Sequence, residues 1–285
     1  MILKYINSEN KEFDLKDARF RLKEGNFHNV SWKYSSITKR FGVAVKQFEK
    51  DPISFELTFA IKGPISKRKA MLNEIHGAME VDKLNKIPGK IVWNDSYIEG
   101  YFISSSTYPA SEGNGTINTT VFFAPVPFWI QEQLISIHPI SGVAAVSDKV
   151  LTKKYPYTYP YRYPVLQTET TVNVDHYTES DFQMKVYGPA TSVHIYIAGH
   201  PYIVHYPIEA GEYMVIDSRP VEMDKKLYVV KANGDTVNIF HYRDTENSVF
   251  KKIPPGQIKV DYPRSYGVDL TIFKERSEPL WNSLQ

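Results

Sequence analysis

Hydrophobic and polar residues alternate along several short stretches in the first half of the chain, and a period of two predicts β-strands. Residues 53–61 alternate most clearly, and their apolar face consists of Phe55, Leu57, Phe59 and Ile61. Residues 116–125 alternate in the same way, with Ile117, Thr119, Val121 and Phe123 on one face. Asn94-Asp95-Ser96 separates the apolar residues of 91–93 from those of 97–106 and predicts a hairpin turn. Antiparallel β-structure is therefore expected here.

One stretch has helical spacing instead. Across residues 66–84, Met71, Ile75 and Met79 recur at intervals of four, which predicts an α-helix. The first turn contains Lys67, Arg68 and Lys69, whose positive charges oppose the helix dipole. This placement costs only tenths of a kcal/mol, but it suggests that the three residues serve something other than helix stability.

Residues 35–50 have no clear period, are basic and contain Gly42. We interpret them as a long loop or arm, because a long structureless loop in a compact domain usually has a function. Lys39, Arg40 and Phe41 near its middle are candidate interface residues, together with Lys67, Arg68 and Lys69.

The second half of the sequence predicts one short strand after another. Apolar stretches recur about every ten residues between turn signals such as Gly188-Pro189, Asn233-Gly234 and 254–256. This spacing is typical of an antiparallel sandwich or barrel, and no helix is needed.

Between the halves lies KKYPYTYPYRYPV, residues 153–165. Its prolines exclude a helix, and they favour an extended chain. Three interpretations stay open: a polyproline ligand for an SH3-like groove, a strip that stacks sugars or bases, or a structural seam between two domains. The seam would be formed by the tyrosines at every second position, which are Tyr155, Tyr157, Tyr159, Tyr161 and Tyr163.

Length and composition narrow the class of protein. The chain has 285 residues, which suggests two domains, and 42% hydrophobic residues, too many for a disordered chain. It has no cysteine, so disulfides and cysteine-based metal sites are excluded. No signal peptide is visible, and no apolar stretch is long enough to span a bilayer. We expect synthesis in the cytosol and no membrane insertion.

Charge is distributed unevenly along the chain although the net charge is only +2. Residues 1–70 carry 15 Lys and Arg against 8 Asp and Glu, a net charge of +7, whereas residues 71–150 carry 4 against 8, a net charge of −4. A solvated basic surface or electrostatic docking onto an acidic neighbour would each produce this pattern.

No catalytic, cofactor or metal motif is present. His194, His200 and His205 are spaced six and five residues apart across a predicted hairpin, without the pattern of a zinc site, and we interpret them as structural or exposed. Asp175, Glu179 and Asp181 resemble a solvated loop rather than an acid–base pair. The chain is therefore not expected to be an enzyme, and a glycan hydrolase is the least favoured hypothesis.

Several segments together resemble the distal tail proteins (Dit, the siphovirus tail component family) of long-tailed phages that infect Gram-positive bacteria. The first half shows the order strand, helix, hairpin, strand, followed by FFAPVPFW at 122–129. The middle shows the Tyr-Pro stretch. The second half shows residues 197–220, IPPGQIKVDY at 253–262 and VDLTIFKERSEPLW at 268–281.

The resemblance implies a mainly β protein of two domains. Residues 1–150 would form a tail-tube-like β-sandwich with one helix, the ring or belt domain, and residues 151–285 a galectin-like antiparallel β-sandwich, with 153–165 as the connector. The final strand, at 268–273, completes the second sandwich or returns to the first.

The resemblance also implies a virion structural protein at the tail tip. It would form a ring, usually a hexamer, in the baseplate hub and join the tail tube protein to a tail-associated lysin or tip hub protein, and in some cases to a receptor-binding protein. DNA would pass through the lumen only as a passenger. The alternative is a galectin-like lectin module that binds host cell-wall glycans.

Overall fold

The computed structural model describes residues 2–17, 19–109, 115–139, 169–220 and 226–280. Within these residues the chain forms one α-helix and twenty β-strands, and every strand pairing with a determined register is antiparallel. The prediction of a mainly β fold with one helix is therefore confirmed. The chain divides into two compact units, 1–131 with 275–285 and 132–274.

The first half of the chain contains the helix and eleven of the strands. The helix α1 spans Ile65–Asn85. The strands are β1 (Leu3–Ile6), β2 (Glu12–Asp14), β3 (Lys16–Asp17), β4 (Phe20–Gly25), β5 (Lys33–Thr38), β6 (Val43–Glu49), β7 (Ile53–Lys62), β8 (Gly89–Trp93), β9 (Ser96–Pro109), β10 (Gly115–Ala124) and β11 (Trp129–Ile137).

The second half contributes nine strands and, among its described residues, a single short 3-10 turn at Phe240–Tyr242. The strands are β12 (Glu169–Val174), β13 (Asp181–Tyr187), β14 (Val193–Ile197), β15 (His200–Val204), β16 (Tyr213–Asp217), β17 (Leu227–Val230), β18 (Thr236–Asn238), β19 (Gly256–Asp261) and β20 (Gly267–Arg276).

The first unit is built on the sheet order β11-β9-β10-β7-β4-β3, and β8, β1 and β2 continue from the long strand β9. Its core is formed by the alternating residues of β7 that the sequence pattern predicts, all of them buried: Phe55, Leu57, Phe59 and Ile61. The predicted hairpin is confirmed, because β8 pairs with β9 around Asn94-Asp95. Burial of one face of β7 thus organises this core.

In β10 the predicted alternation is present, but the opposite face is the buried one. The more accessible face is the one formed by Ile117, Thr119, Val121 and Phe123, and the buried face is formed by Asn118, Thr120, Phe122 and Ala124. The two polar residues of the buried face find hydrogen-bond partners on the neighbouring strands. Asn118 donates to Ser105 and Thr107 of β9, and Thr120 Oγ1 donates to the carbonyl oxygen of Leu57 in β7.

The second unit is a β-sandwich of two sheets. One sheet has the order β18-β17-β16-β13-β20-β11, and the other has the order β12-β19-β14-β15. Its core is aliphatic, with Met184, Val186, Ile195, Val204 and Leu270 among the side chains that are fully or almost fully buried. The predicted series of short strands is confirmed.

One expectation about local structure is wrong. Residues 35–50 do not form an irregular loop: most of them belong to β5 and β6, which pair as a hairpin. The sequence pattern assigned no element to the stretch from 126 onward, which contains β11. The periodicity of β11 is obscured because it alternates only weakly between half-buried and exposed positions.

Other predictions fall outside the described residues. These are the Tyr-Pro connector with its five tyrosines and the domain boundary at 150–151. The final strand, β20, pairs with β13 in the second unit, and residues from Glu275 onward belong to the first unit.

Candidate assembly surfaces

Among the strands that the structure describes, β5 and β6 pair only with each other, and we name residues 33–49 the arm. Its tip is closed by the backbone N–H of Lys39, which donates to the carbonyl oxygen of Gly42 at 3.0 Å. Gly42 has φ of +88°, which glycine adopts most readily. The predicted interface residues Lys39, Arg40 and Phe41 occupy this tip, and Phe41 is 88% exposed.

The arm has one apolar face. Directly opposed residues of an antiparallel pair share a face, and the register aligns Tyr34 with Phe48, Ser36 with Val45 and Thr38 with Val43. The apolar side chains of this face are all at least half exposed: Tyr34, Val43, Val45 and Phe48. The other face carries Lys33, Ser35, Ile37, Ala44, Gln47 and Glu49.

A β-bulge explains why this face was not recognised in the sequence. The register shifts between Ser35 and Ser36, so that Lys46 is an extra residue in β6. The apolar residues therefore follow one another at intervals of two and then three, at positions 43, 45 and 48. A strict search for period two misses such a strand, although β-branched and aromatic residues at these positions were a usable signal.

The root of the arm is held by Lys50. Its ammonium donates to the carbonyl oxygens of Pro127 at 2.6 Å and Ser277 at 3.2 Å. It also lies 4.8 Å from the centre of the Phe128 ring and 5.7 Å from that of Trp32. Burial lowers the pKa of Lys50. The arm is thus fixed where it joins the rest of the first unit, while the side chains of its apolar face stay exposed.

The other predicted interface residues lie at the start of α1. Lys67 and Arg68 line a cavity of about 410 Å³, which we name the basic cleft, whereas Lys69 does not. The remaining lining residues include two further cations, one carboxylate and an apolar floor: Arg19, Lys62, Glu74, Ile61 and Met71. The basic triplet is therefore divided between two environments.

The opposite end of α1 is anchored by the buried carboxylate of Asp82, which is only 1% exposed. It accepts hydrogen bonds from the hydroxyl of Tyr5 and, at 2.8 Å, from the backbone N–H of Ser8. A Cβ at Gly89 would lie 2.3 Å from Asp82 Oδ2, so only glycine allows this approach. Sequence patterns could not connect a helix residue with β1 and β8.

Between these ends, a polar network joins α1 to β9 and β10. His76 Nε2 lies 3.1 Å from Ser105 Oγ, which accepts a hydrogen bond from the amide of Asn118 at 2.9 Å. The same amide donates to Thr107 Oγ1 at 2.7 Å. Burial lowers the pKa of His76, and the nearby Lys83 lowers it further.

The histidines of the second unit do not form a metal site. His194 and His205 have ring centres 5.9 Å apart, whereas His200 Nε2 contacts the carbonyl oxygen of Ser248 at 2.8 Å. No group of three potential ligands occurs among the described residues. Nor is any helix in the described ranges long and apolar enough to cross a membrane.

The interpretation of Asp181 as part of a solvated loop is wrong. Its carboxylate is 4% exposed and accepts hydrogen bonds from Lys252 Nζ at 2.7 Å and Ser218 Oγ at 2.8 Å. Ser218 Oγ in turn accepts from the backbone N–H of Phe182 at 2.8 Å. A buried, fully paired carboxylate of this kind has a structural role.

Comparison with solved structures shows that the chain has the fold of phage tail hub and baseplate proteins. The SPP1 Dit (gp 19.1) protein, described as a paradigm of the hub adsorption apparatus in phages infecting Gram-positive bacteria, matches with a TM-score of 0.59 and 10% identity, over 97% of this chain and 100% of its own. A chain of the phage P2 baseplate in its activated conformation with Ca matches with a TM-score of 0.65 and 12% identity, over 98% of this chain and 100% of its own.

The corresponding P2 structure with Sr gives a TM-score of 0.64 at 12% identity, with the same coverage. No known family profile matches the sequence, and no curated protein matches it. The resemblance to distal tail proteins is thus confirmed as a likeness of fold.

Proposed function

We propose that this protein is a structural component of a phage tail, a distal tail protein that forms a ring in the baseplate hub. The observation that carries the proposal is the fold match along nearly the whole chain to a Dit hub protein and to a baseplate chain. Such a match includes both units rather than one widespread β-sandwich. The protein is accordingly assigned to the tail tip of the virion.

The arm supports self-assembly. An isolated two-stranded hairpin is marginally stable in water, and it gains stability when a third element covers it. A fully buried aromatic side chain removes roughly 150–250 Å² from water. On this scale, the exposed side chains of the apolar face together with Phe41 present on the order of 500 Å² of apolar surface. A standard interface buries about 800 Å² per partner, so the arm supplies a large part of one.

The partner of this surface is a second copy of the chain. A ring assembled head to tail needs two different complementary patches on each protomer. The arm lies within the segment of net charge +7, and the following segment, 71–150, has a net charge of −4. Opposite charges on successive segments favour contact between neighbouring copies and help to define its register.

Mass photometry and negative-stain microscopy test the ring. We expect the wild-type protein to form a closed ring of hexameric mass, alone or when mixed with its tail tube and tip neighbours. Replacing Tyr34 and Phe48 with Ser should shift the population to monomers. Ile37→Ser is the matched control, because Ile37 is similarly exposed but lies on the other face.

Two results would count against the ring. One is a wild-type chain that stays monomeric in the presence of its neighbours. The other is equal loss of assembly in the Ile37→Ser control, which would remove the apolar face from the interface.

In the assembled tail, the ring would join the tail tube to a tail-associated lysin or tip hub protein and, where present, a receptor-binding protein. Its lumen would let DNA pass without binding it. No catalytic step is assigned to the chain. Co-purification of the chain with the two neighbouring tail proteins, followed by cross-linking, would identify which unit contacts each of them.

Glycan binding is the second candidate function, and one observation favours it. On one sheet of the second unit, Tyr187, Tyr213 and Tyr228 lie on the face directed away from the core. The hydroxyl of Tyr187 donates to Asp269 at 2.8 Å, and this bond raises the pKa of Tyr187 to about 12. Partly exposed tyrosines beside carboxylates can stack on and hydrogen-bond sugars.

Binding to purified host cell walls tests this candidate. Tyr187→Ser should abolish binding, whereas Tyr177→Ser, in an exposed loop, should not. If the wild-type protein does not bind cell walls, glycan binding is excluded and the structural role in the tail is the only candidate function that remains.

A further inference from the structure

The basic cleft at the start of α1 has more positive charge than its own residues neutralise. Two of its charged residues are paired: Arg19 with Asp17 at 2.7 Å, and Glu74 with Lys11 at 2.8 Å. The only carboxylate of the lining is therefore already engaged with a cation outside the cleft.

Three cations remain. Lys62, Lys67 and Arg68 line the cavity without a carboxylate partner among the described residues. Like charges around one cavity repel each other, and an apolar floor strengthens the repulsion because it lowers the local dielectric constant. A bound anion would remove this repulsion.

Arg68 is a lining cation whose position is fixed by a hydrogen bond. Its Nη1 donates to Thr116 Oγ1 at 2.6 Å, which fixes the plane of the guanidinium. Its Nε is buried and has no acceptor among the described residues. A buried donor without an acceptor is destabilising, and an oxyanion matches the geometry of a guanidinium.

The N-terminus of α1 adds to the positive electrostatic potential at the cleft. α1 begins after Pro64 without a side-chain cap and without an acidic residue in its first turn. The first N–H groups of α1 therefore have no capping side chain among the described residues, and the positive end of the helix dipole favours an anion nearby. The basic residues of this turn, Lys67, Arg68 and Lys69, do not favour the helix. The cavity gives two of them, Lys67 and Arg68, a different role, the binding of an anion.

We propose that the basic cleft is an oxyanion-binding site for a carboxylate or phosphate group. Arg68 would donate directed hydrogen bonds, and the ammonium groups of Lys62 and Lys67 would contribute charge from both walls. The oxyanion is a free ion such as phosphate or an acidic side chain of a neighbouring subunit. Binding to the isolated chain does not depend on the proposed ring.

Titration with inorganic phosphate tests the site, with the thermal midpoint of unfolding as the readout and ionic strength held constant with chloride. Phosphate should raise the midpoint of the wild-type protein. Lys67→Gln should weaken the apparent phosphate affinity about tenfold, the loss expected for one charge-assisted hydrogen bond. Lys69→Gln makes the same charge change two residues further along the helix, outside the cleft. It should change the apparent phosphate affinity by less than about twofold.

Since Lys67 has no hydrogen-bond partner among the described residues, its replacement should leave the fold intact. A second variant, Arg68→Lys, keeps the charge but loses the planar donor and should also weaken binding. No stabilisation by phosphate beyond that of chloride would overturn the proposal. Equal losses in the Lys67 and Lys69 variants would overturn it as well.

Mass measurements in the presence of phosphate distinguish the two sources of the oxyanion. If an acidic side chain of another subunit occupies the cleft, phosphate and Lys67→Gln should both reduce the assembled fraction. If a free anion is the ligand, phosphate should leave that fraction unchanged while still raising the midpoint. Either result supports an oxyanion site, and each assigns a different occupant.

Discussion

The strands β6 and β7 are separated by only three residues and are both rich in apolar side chains, yet they have opposite environments. β7 buries Phe55, Leu57, Phe59 and Ile61, whereas β6 exposes Val43, Val45 and Phe48. β7 lies between β4 and β10, whereas β6 pairs with β5 and with no other strand in the described part of the chain.

Apolar content therefore does not distinguish a core strand from an interaction strand. The number of neighbouring strands and the presence of a covering layer distinguish them. A strand with two neighbours and one covered face buries its apolar side chains when the chain folds. An amphipathic hairpin with an exposed apolar face can bury those side chains only when it binds a partner. This difference explains why the buried face of β7 stabilises the fold, and it supports the proposal that the arm serves assembly.

The largest expected effect compares one phenylalanine from each strand. Phe59 is fully buried and stacks on Phe20 at 4.6 Å between ring centres. Phe59→Ala should lower the free energy of unfolding by about 3–5 kcal/mol. Phe48→Ala should change the monomer's value by less than about 0.5 kcal/mol. Urea unfolding followed by tryptophan fluorescence measures both, and similar losses would contradict the assignment.

The next effect concerns the polar anchor of the core. Asp82→Ala leaves the hydroxyl of Tyr5 and the N–H of Ser8 without their acceptor in a buried site. The free energy of unfolding should fall by about 1–3 kcal/mol. The same denaturation assay checks this, with the exposed Glu80→Ala on the same helix as its control. A loss no greater than that of the control would show that Asp82 does not anchor the helix.

A smaller effect is expected at the root of the arm, where the two regions meet. Lys50→Met keeps the apolar stem and removes the bonds to Pro127 and Ser277. Stability should fall by about 1 kcal/mol, and hydrogen exchange should increase at the root and at 277–280 while β7 stays protected. Uniform protection in the variant would mean that Lys50 does not hold the root.

The smallest effect is a dependence of stability on pH that arises from His76. Burial lowers the pKa of His76 from its ordinary value of 6.5. Below that value the unfolded chain binds a proton that the folded chain resists, so stability should fall as the pH falls from 7 toward 5. His76→Gln should flatten the difference between the two pH values. An unchanged slope would exclude His76 as its source.

Much of the first unit could be predicted from the sequence. The alternation in β7 and the four-residue spacing in α1 are local properties, and both elements form as expected. β6 was missed because its bulge at Lys46 interrupts the period. The buried face of β10 was also not predictable, because Asn118 is buried by hydrogen bonds to β9.

The candidate sites were predicted less completely. Lys39, Arg40 and Phe41 lie on an exposed tip, as an interaction arm requires, but the apolar face beside them emerged only with the pairing of β5 and β6. Assembly through these residues stays a prediction. The Tyr-Pro seam also stays a prediction, because it lies outside the described residues.

Residue order alone was sufficient for the class of fold, since side-chain periodicity of two or of about four is encoded within a few neighbouring positions. The roles of the basic residues required the folded chain. Lys67 and Arg68 line the basic cleft with Lys62, whereas Lys69 does not. Arg68 is held by a hydrogen bond to Thr116, which belongs to a strand distant in the sequence. Contacts between residues so far apart in sequence leave no local pattern. The exposure of the apolar face of the arm leaves none either, because it depends on which other segments pack nearby.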